Sequence, residues 1–204
     1  MNFNGFYFIT DSKLSKRGIV KDVEDAIRGG SRIVQYREKS KDTWPMMKDA
    51  SAIKNACKGK AMFLINDRVD VCLAVDADGV HLGQSDMPYR KARELLGEKI
   101  IGLTAHNLEE ARAAEAIGAD YVAVSPIFET KTKGDAGPAV GLDLVREVSK
   151  VLAIPIVAIG GINLENAKSV IEAGATTLCA MSATIGVDVE RRVRAFTNII
   201  NASK

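Results

Sequence analysis

Aromatic residues make up only 5% of this 204-residue chain, with a single tryptophan. That scarcity excludes the rows of stacking rings on which single-stranded nucleic acids are held. A surplus of one charge is missing too: 28 Lys plus Arg stand against 26 Asp plus Glu, a net charge of +2. The two signs are interspersed, so no basic face for a nucleic-acid backbone stands out. No apolar run approaches the roughly eighteen residues of a membrane span. Met1 to Asp11 is apolar but lacks the basic start and small-residue cleavage site of a secretion signal. Cys57, Cys72 and Cys179 lie far apart, form no C-x-x-C pair and suit a reducing compartment. The expectation is a cytoplasmic protein with no nucleic acid and no membrane as partner.

Histidine is equally sparse. His81 and His106 have no Cys or Glu at zinc-ligand spacing, and no nucleophile–histidine–carboxylate set is visible, so acyl transfer has little support. His81 reads more simply as a hydrogen-bonded wall residue than as a base. Trp44 and Met46-Met47 read as packing residues at helical spacing.

What the sequence has is alternation. It is 47% apolar, enough for one domain over residues 1–204 with a full core. Strand-like runs are expected at Phe6–Thr10, Arg32–Arg37, Ala61–Ile65, Gly79–Leu82, Ile100–Thr104, Tyr121–Ser125, Ile156–Ile159 and Thr177–Met181. Helical stretches follow each of them, over 18–28, 42–57, 68–75, 89–96, 108–117, 142–151, 164–173 and 189–200. Strict alternation implies parallel strands covered by helices. Eight such units close most economically into a (β/α)8 TIM barrel. No G-x-G-x-x-G turn follows an early strand, which weighs against an open doubly wound sheet. "EAIGADYVAVS" and "IEAGATTLCAMS" repeat one pattern, a helix stopped by glycine and followed by a buried strand.

In such a barrel the active site lies at the C-terminal ends of the strands, and unusual polar residues gather there. In "IVQYREK", Ile33, Gln35, Arg37 and Lys39 share one face. Two cations at the end of a buried strand need partners or an anionic ligand. Phosphate is one reading, a structural pair of Arg37 with Asp11 or Asp67 the other. "FLINDRVD" places Asn66 and Asp67 after the third strand, and "HLGQSDMP" places Asp86 after the fourth. Each aspartate is a candidate helix cap; together they suggest a hard metal such as Mg2+. "SPIFETKTKGDAG" brings Thr130, Thr132 and Lys133 into a polar loop, either a lid or merely solvated. Gly160-Gly161 after the seventh strand and Met181-Ser182, read as the end of the eighth, fit a phosphate held by backbone amides.

These segments in this order resemble the thiamine-phosphate synthase family, from "FYFITD" through "IVQYREK", "LINDRVDVCLAVDADGVHLGQSDMP", "IGLTAHN" and "GADYVAVSPIFETKTKGDA" to "IPIVAIGGI" and "MSAT". The resemblance implies a transferase that joins 4-amino-5-hydroxymethyl-2-methylpyrimidine diphosphate to 4-methyl-5-(2-phosphoethyl)thiazole. Diphosphate departs first, leaving a pyrimidinylmethyl cation for the thiazole nitrogen to attack. It implies Gln35, Arg37, Lys39, Asn66 and Lys133 as pyrimidine and diphosphate contacts. Asp67 and Asp86 would be ligands of Mg2+, and Thr130, Thr132, Gly161, Met181 and Ser182 would form the thiazole-phosphate pocket. Arg37, Lys39, Lys133 and Thr104 would act in catalysis. Thr104 stands where serine is frequent, and Met181 where a smaller branched residue is usual.

The competing readings are a thiazole-phosphate tautomerase on the same barrel and a non-catalytic, phosphate-binding regulatory barrel. The sequence does not choose an oligomeric state, a homo-oligomer included.

Overall fold

The structure is a computed structural model that describes residues 3–130, 132 and 137–203. Eight parallel strands close into a barrel in sequence order: β1 Gly5–Ile9, β2 Ile33–Tyr36, β3 Met62–Asn66, β4 Gly79–Leu82, β5 Ile100–Ala105, β6 Tyr121–Val124, β7 Ile156–Ile159 and β8 Thr177–Cys179. The last strand returns to the first through the register Gly5↔Thr177 and Phe6↔Leu178. The helices between them are α1 Ile19–Gly29, α2 Thr43–Cys57, α3 Val69–Val75, α4 Tyr89–Leu96, α5 Leu108–Ala116, α6 Gly141–Val151, α7 Ala167–Glu172, α8 Met181–Thr184 and α9 Val189–Ala202. This is the TIM barrel that the alternation implies.

Period-two alternation divides the core into two shells. Tyr7, Ile9, Ile33, Leu64, Tyr121, Val157 and Cys179 pack together inside the barrel. Phe6, Phe8, Val34, Phe63 and Ile65 point outward into the layer shared with the helices. Phe6 stacks on Phe196 of α9 with ring centroids 5.1 Å apart, which seals the closing strand pair with the last helix. Truncating Phe196 to alanine would cost about 3–5 kcal/mol.

Two local expectations are corrected. Met181 and Ser182 do not end the eighth strand: β8 stops at Cys179, and Met181 opens the short helix α8. Thr184 Oγ1 donates back to the Ala180 carbonyl at 2.8 Å, closing that turn. Trp44 is not a packing residue but is 65% exposed, whereas Met46 is buried. The buried stripe of α2 is Met46, Ala50, Ile53 and Cys57, and Trp44 lies about 200° round the helix from Met46. No described helix is long and apolar enough to cross a membrane.

Candidate active site

The strands' C-terminal ends surround a cavity of about 240 Å³. Gln35, Arg37, Lys39, Asn66, Asp67, Asp86, Thr104, Thr130, Thr132, Gly161, Met181 and Ser182 all line it. Lys133 lies outside the described residues. Among the expected site residues that are described, none is left elsewhere on the molecule.

One side, from β2 to β4, is charged. Arg37 Nη1 donates to Asp11 Oδ2 at 3.2 Å, and the Arg37 amide donates to Thr10 Oγ1 at 3.0 Å. Asp11 in turn accepts the amides of Lys13 and Leu14 on its Oδ1, at 2.9 and 3.1 Å. Lys39 Nζ makes an ion pair with Asp67 Oδ2, while Asn66 Nδ2 donates to Asp67 Oδ1 at 2.7 Å. Of the two structural pairings open to Arg37 at the sequence level, the one with Asp11 is made; Asp67 pairs with Lys39 instead. Neither aspartate caps a helix through its side chain: α3 and α4 begin without a side-chain cap. Asp67 instead sits in the left-handed region at φ 61°, turning its carboxylate back toward the mouth. Asp86 Oδ2 accepts the Gly83 amide at 2.7 Å.

The two carboxylates meet. Burial, and Asp67 beside it, push the Asp86 carboxyl above its ordinary range against the pull of the Gly83 amide and Lys39. Two adjoining carboxylates that lack enough positive charge between them are what a divalent cation relieves. Mg2+ needs only one or two carboxylates when phosphate and water supply its other ligands. The pair fits that pattern, and no cluster of three or more acidic, His or Cys ligands occurs among the described residues.

The opposite side, from β6 to β8, offers amides and hydroxyls. Gly160 and Gly161 have φ of 103° and 64°. A Cβ at Gly161 would come within 2.6 Å of Phe128 Cβ and 2.7 Å of the Glu129 carbonyl, so only glycine allows this approach. Thr130 Oγ1 and Thr132 Oγ1 lie 3.3 Å apart at the same rim.

Two features escape a sequence reading. Glu38, buried on the outward face of β2's extension, accepts the Lys39 amide at 2.9 Å and the Ser40 amide at 2.9 Å. It also accepts the Ser40 hydroxyl at 2.7 Å and the Ser12 hydroxyl at 2.9 Å, which fixes the turn that carries Lys39. Beneath the cavity floor, Tyr7 and Tyr121 hydroxyls meet at 2.9 Å. A buried tyrosine on an inward strand position signals a polar partner, but not which one. His81 is the wall residue expected, with both ring nitrogens engaged: Nδ1 at 3.0 Å from Tyr121 and Nε2 at 2.9 Å from Thr104 Oγ1.

Comparison with known proteins agrees with this fold. The model of a family described as "Thiamine monophosphate synthase" matches residues 6–184. A thiamine-phosphate synthase of Methanosarcina barkeri is 55% identical over 201 residues, covering 98% of this chain and 91% of the relative. A solved thiamine phosphate pyrophosphorylase from Pyrococcus furiosus superposes with a TM-score of 0.92 at 38% identity, covering 99% of this chain and 98% of the other. A geranylgeranylglyceryl phosphate synthase from Thermoplasma acidophilum, at 20% identity and a TM-score of 0.72 over 98% of this chain and 94% of its own, shares the fold alone. On these matches, the chain belongs to the thiamine monophosphate synthase family.

Proposed function

We propose that the barrel mouth is where this chain joins 4-amino-5-hydroxymethyl-2-methylpyrimidine diphosphate to 4-methyl-5-(2-phosphoethyl)thiazole. The observation that carries the reading is the division of one cavity into two edges of different chemistry. Cations and paired carboxylates line the β2–β4 side, and amides and hydroxyls the β6–β8 side.

The bond between the pyrimidine methylene and the diphosphate oxygen breaks, and its electron pair leaves with diphosphate. The methylene carbon, electron-poor but stabilised by the ring's 4-amino group, is then attacked by the thiazole nitrogen, giving thiamine monophosphate. No protein base is consumed in either step. The protein must instead stabilise negative charge growing on the leaving group, a task for preorganised electrostatics. Arg37 and Lys39 donate to the diphosphate, joined by Lys133. Lys39, paired with Asp67 in the structure, exchanges that carboxylate for a phosphate oxygen. Asp67 and Asp86 would hold Mg2+, whose charge, when bound, offsets that of the diphosphate. Gln35, Asn66 and Thr104 contact the pyrimidine. Thr130, Thr132, Gly161, Met181 and Ser182 hold the thiazole phosphate. Buried free thiols support a reducing, cytoplasmic location.

The test is turnover of the two purified substrates, with products identified by mass and counted. Thiamine monophosphate and diphosphate in equal amounts, abolished by a chelator and restored by Mg2+, are expected. Isomerisation of the thiazole phosphate alone, or binding of it without turnover, would overturn the reading.

A further inference from the structure

A buried hydrogen-bond chain crosses the barrel beneath the cavity floor. Gln35 Nε2 donates to Tyr7 Oη at 2.7 Å, and Tyr7 Oη lies 2.9 Å from Tyr121 Oη. Tyr121 Oη lies 3.0 Å from His81 Nδ1, and His81 Nε2 lies 2.9 Å from Thr104 Oγ1. The fold makes room for it: a Cβ at Gly102 would lie 2.0 Å from the Tyr121 ring. Both tyrosines are fully enclosed, whereas Gln35, His81 and Thr104 face the cavity. Burial raises both phenols far above their ordinary range, so each keeps its one proton.

With the His81 imidazole neutral, proton counting leaves this chain two self-consistent senses. With Gln35 donating to Tyr7, the only acceptor left in the chain for the Tyr7 proton is Tyr121. Tyr121 must then donate to His81 Nδ1, and the neutral imidazole carries its proton on Nε2 and donates to Thr104. The cavity is offered a carbonyl acceptor at Gln35 and a hydroxyl donor at Thr104. In the opposite sense every bond reverses, and the cavity is offered an amide donor at Gln35 and a lone-pair acceptor at Thr104. The two ends always present opposite polarity. Gln35 turns its amide nitrogen toward Tyr7, the arrangement of the first sense.

We infer that Tyr7, Tyr121 and His81 are specificity-determining positioning residues, whose hydrogen-bond chain sets the polarity of Gln35 and Thr104 and selects an aminopyrimidine over its oxo counterpart. The inference rests on the placement of the pyrimidine against Gln35 and Thr104 proposed above. An exocyclic amine donates and an unprotonated ring nitrogen accepts, matching the first sense. The 4-oxo ring in its lactam form carries a carbonyl and a ring N–H, and matches only the second. Binding it means reversing every bond of the chain or leaving buried groups unpaired, a mismatch polar sites reject strongly.

The test compares kcat/KM for the 4-amino and 4-oxo pyrimidine diphosphates in the wild type, Tyr7→Phe and Tyr121→Phe. Each substitution removes one oxygen and cuts the chain. The wild type is expected to favour the amino substrate by at least ~100-fold. Each variant should shrink that ratio by about 10-fold, the size of one lost hydrogen bond to a neutral group. A wild type that does not discriminate, or variants that lose both substrates equally, would overturn the inference. A second readout is independent of turnover. The chain has two histidines, so 15N spectra of histidine-labelled protein resolve His81 simply. It should be the neutral Nε2–H tautomer in the wild type and a mixture in Tyr121→Phe; an Nδ1–H wild type would overturn the sense assigned. Failure of the underlying placement looks different. Gln35→Ala and Thr104→Ala would then leave the KM of the amino substrate unchanged, whatever the tyrosine variants do, and the inference would fall with it.

Discussion

Arg37 at the end of β2 and Asp11 just past β1 are joined by a hydrogen-bonded ion pair of 3.2 Å. Asp11 also holds the amides of Lys13 and Leu14. One carboxylate therefore aims a guanidinium into the cavity and fixes the loop beside it. Asp11→Asn keeps the amide-accepting oxygen but weakens the hold on Arg37. The KM for pyrimidine diphosphate should rise about 10-fold, with kcat falling less, as expected for a loss of positioning worth ~1.4 kcal/mol. Steady-state kinetics against that substrate would check it; an unchanged KM would separate Arg37 from diphosphate binding.

Asp67 and Asp86 lie together with the Lys39 ammonium beside them. Asp86→Asn should remove their repulsion and stabilise the metal-free protein by about 1 kcal/mol, near 3 °C in melting temperature for a chain of this size. The same change should lower turnover at least ~100-fold and shift the Mg2+ requirement upward. Asp86→Ala should likewise leave the fold intact while severely reducing synthesis. Melting curves with and without Mg2+, set beside turnover, test the pair. Unchanged product formation would remove Asp86 from the metal site.

Glu38 supplies the pH dependence. Burial alone would raise its carboxyl, but the Ser40 hydroxyl and amide, the Ser12 hydroxyl and the Lys39 amide outweigh it and bring the value to about 2. The unfolded value is near ~4.3. Because the folded value is the lower one, the stabilisation is complete above about 4.3 and is lost as pH falls through about 2. Glu38→Gln should cost about 2 kcal/mol at neutral pH and flatten the acid limb of the stability profile. Urea denaturation across that pH range would show it, and parallel acid limbs would contradict it.

Gly161 tests the opposite rim. Gly161→Ala forces a side chain at φ 64° into Phe128 and the Glu129 carbonyl. A loss of about 2–3 kcal/mol in stability is expected from the strain and the displaced loop. The KM for the thiazole phosphate should rise more than that for the pyrimidine diphosphate. Equal effects on the two substrates would argue against a thiazole-phosphate edge here.

Much of the barrel was readable because its strands and helices have different periods. Gly79–Leu82, Tyr89–Leu96 and Ile156–Ile159 fall where the pattern puts them. The expected β8 runs too far because "TTLCAMS" carries no breaker, and the turn at Ala180 is closed by the hydroxyl of Thr184, which lies beyond that run. Trp44 misled for a different reason: helical spacing marks a stripe but does not say which residues lie off it. At the mouth, Arg37, Lys39, Asp67 and Asp86 stand out as charges at the ends of buried strands. Tyr7, Tyr121 and Glu38 do not, because tyrosine is an ordinary strand residue and Glu38 alternates to the outward face. Their roles depend on partners 114 residues apart for the tyrosines and 26 apart for Glu38 with Ser12, which no local pattern encodes.

The central claim is that diphosphate and a divalent ion occupy the β2–β4 side of this cavity. Anomalous diffraction from crystals soaked in Mn2+ and inorganic diphosphate tests it most directly. A manganese peak between the Asp67 and Asp86 carboxylates, with diphosphate oxygens reaching Arg37 and Lys39, is expected. Diphosphate bound elsewhere, or bound here with Lys39 still on Asp67 and no manganese beside it, would contradict it.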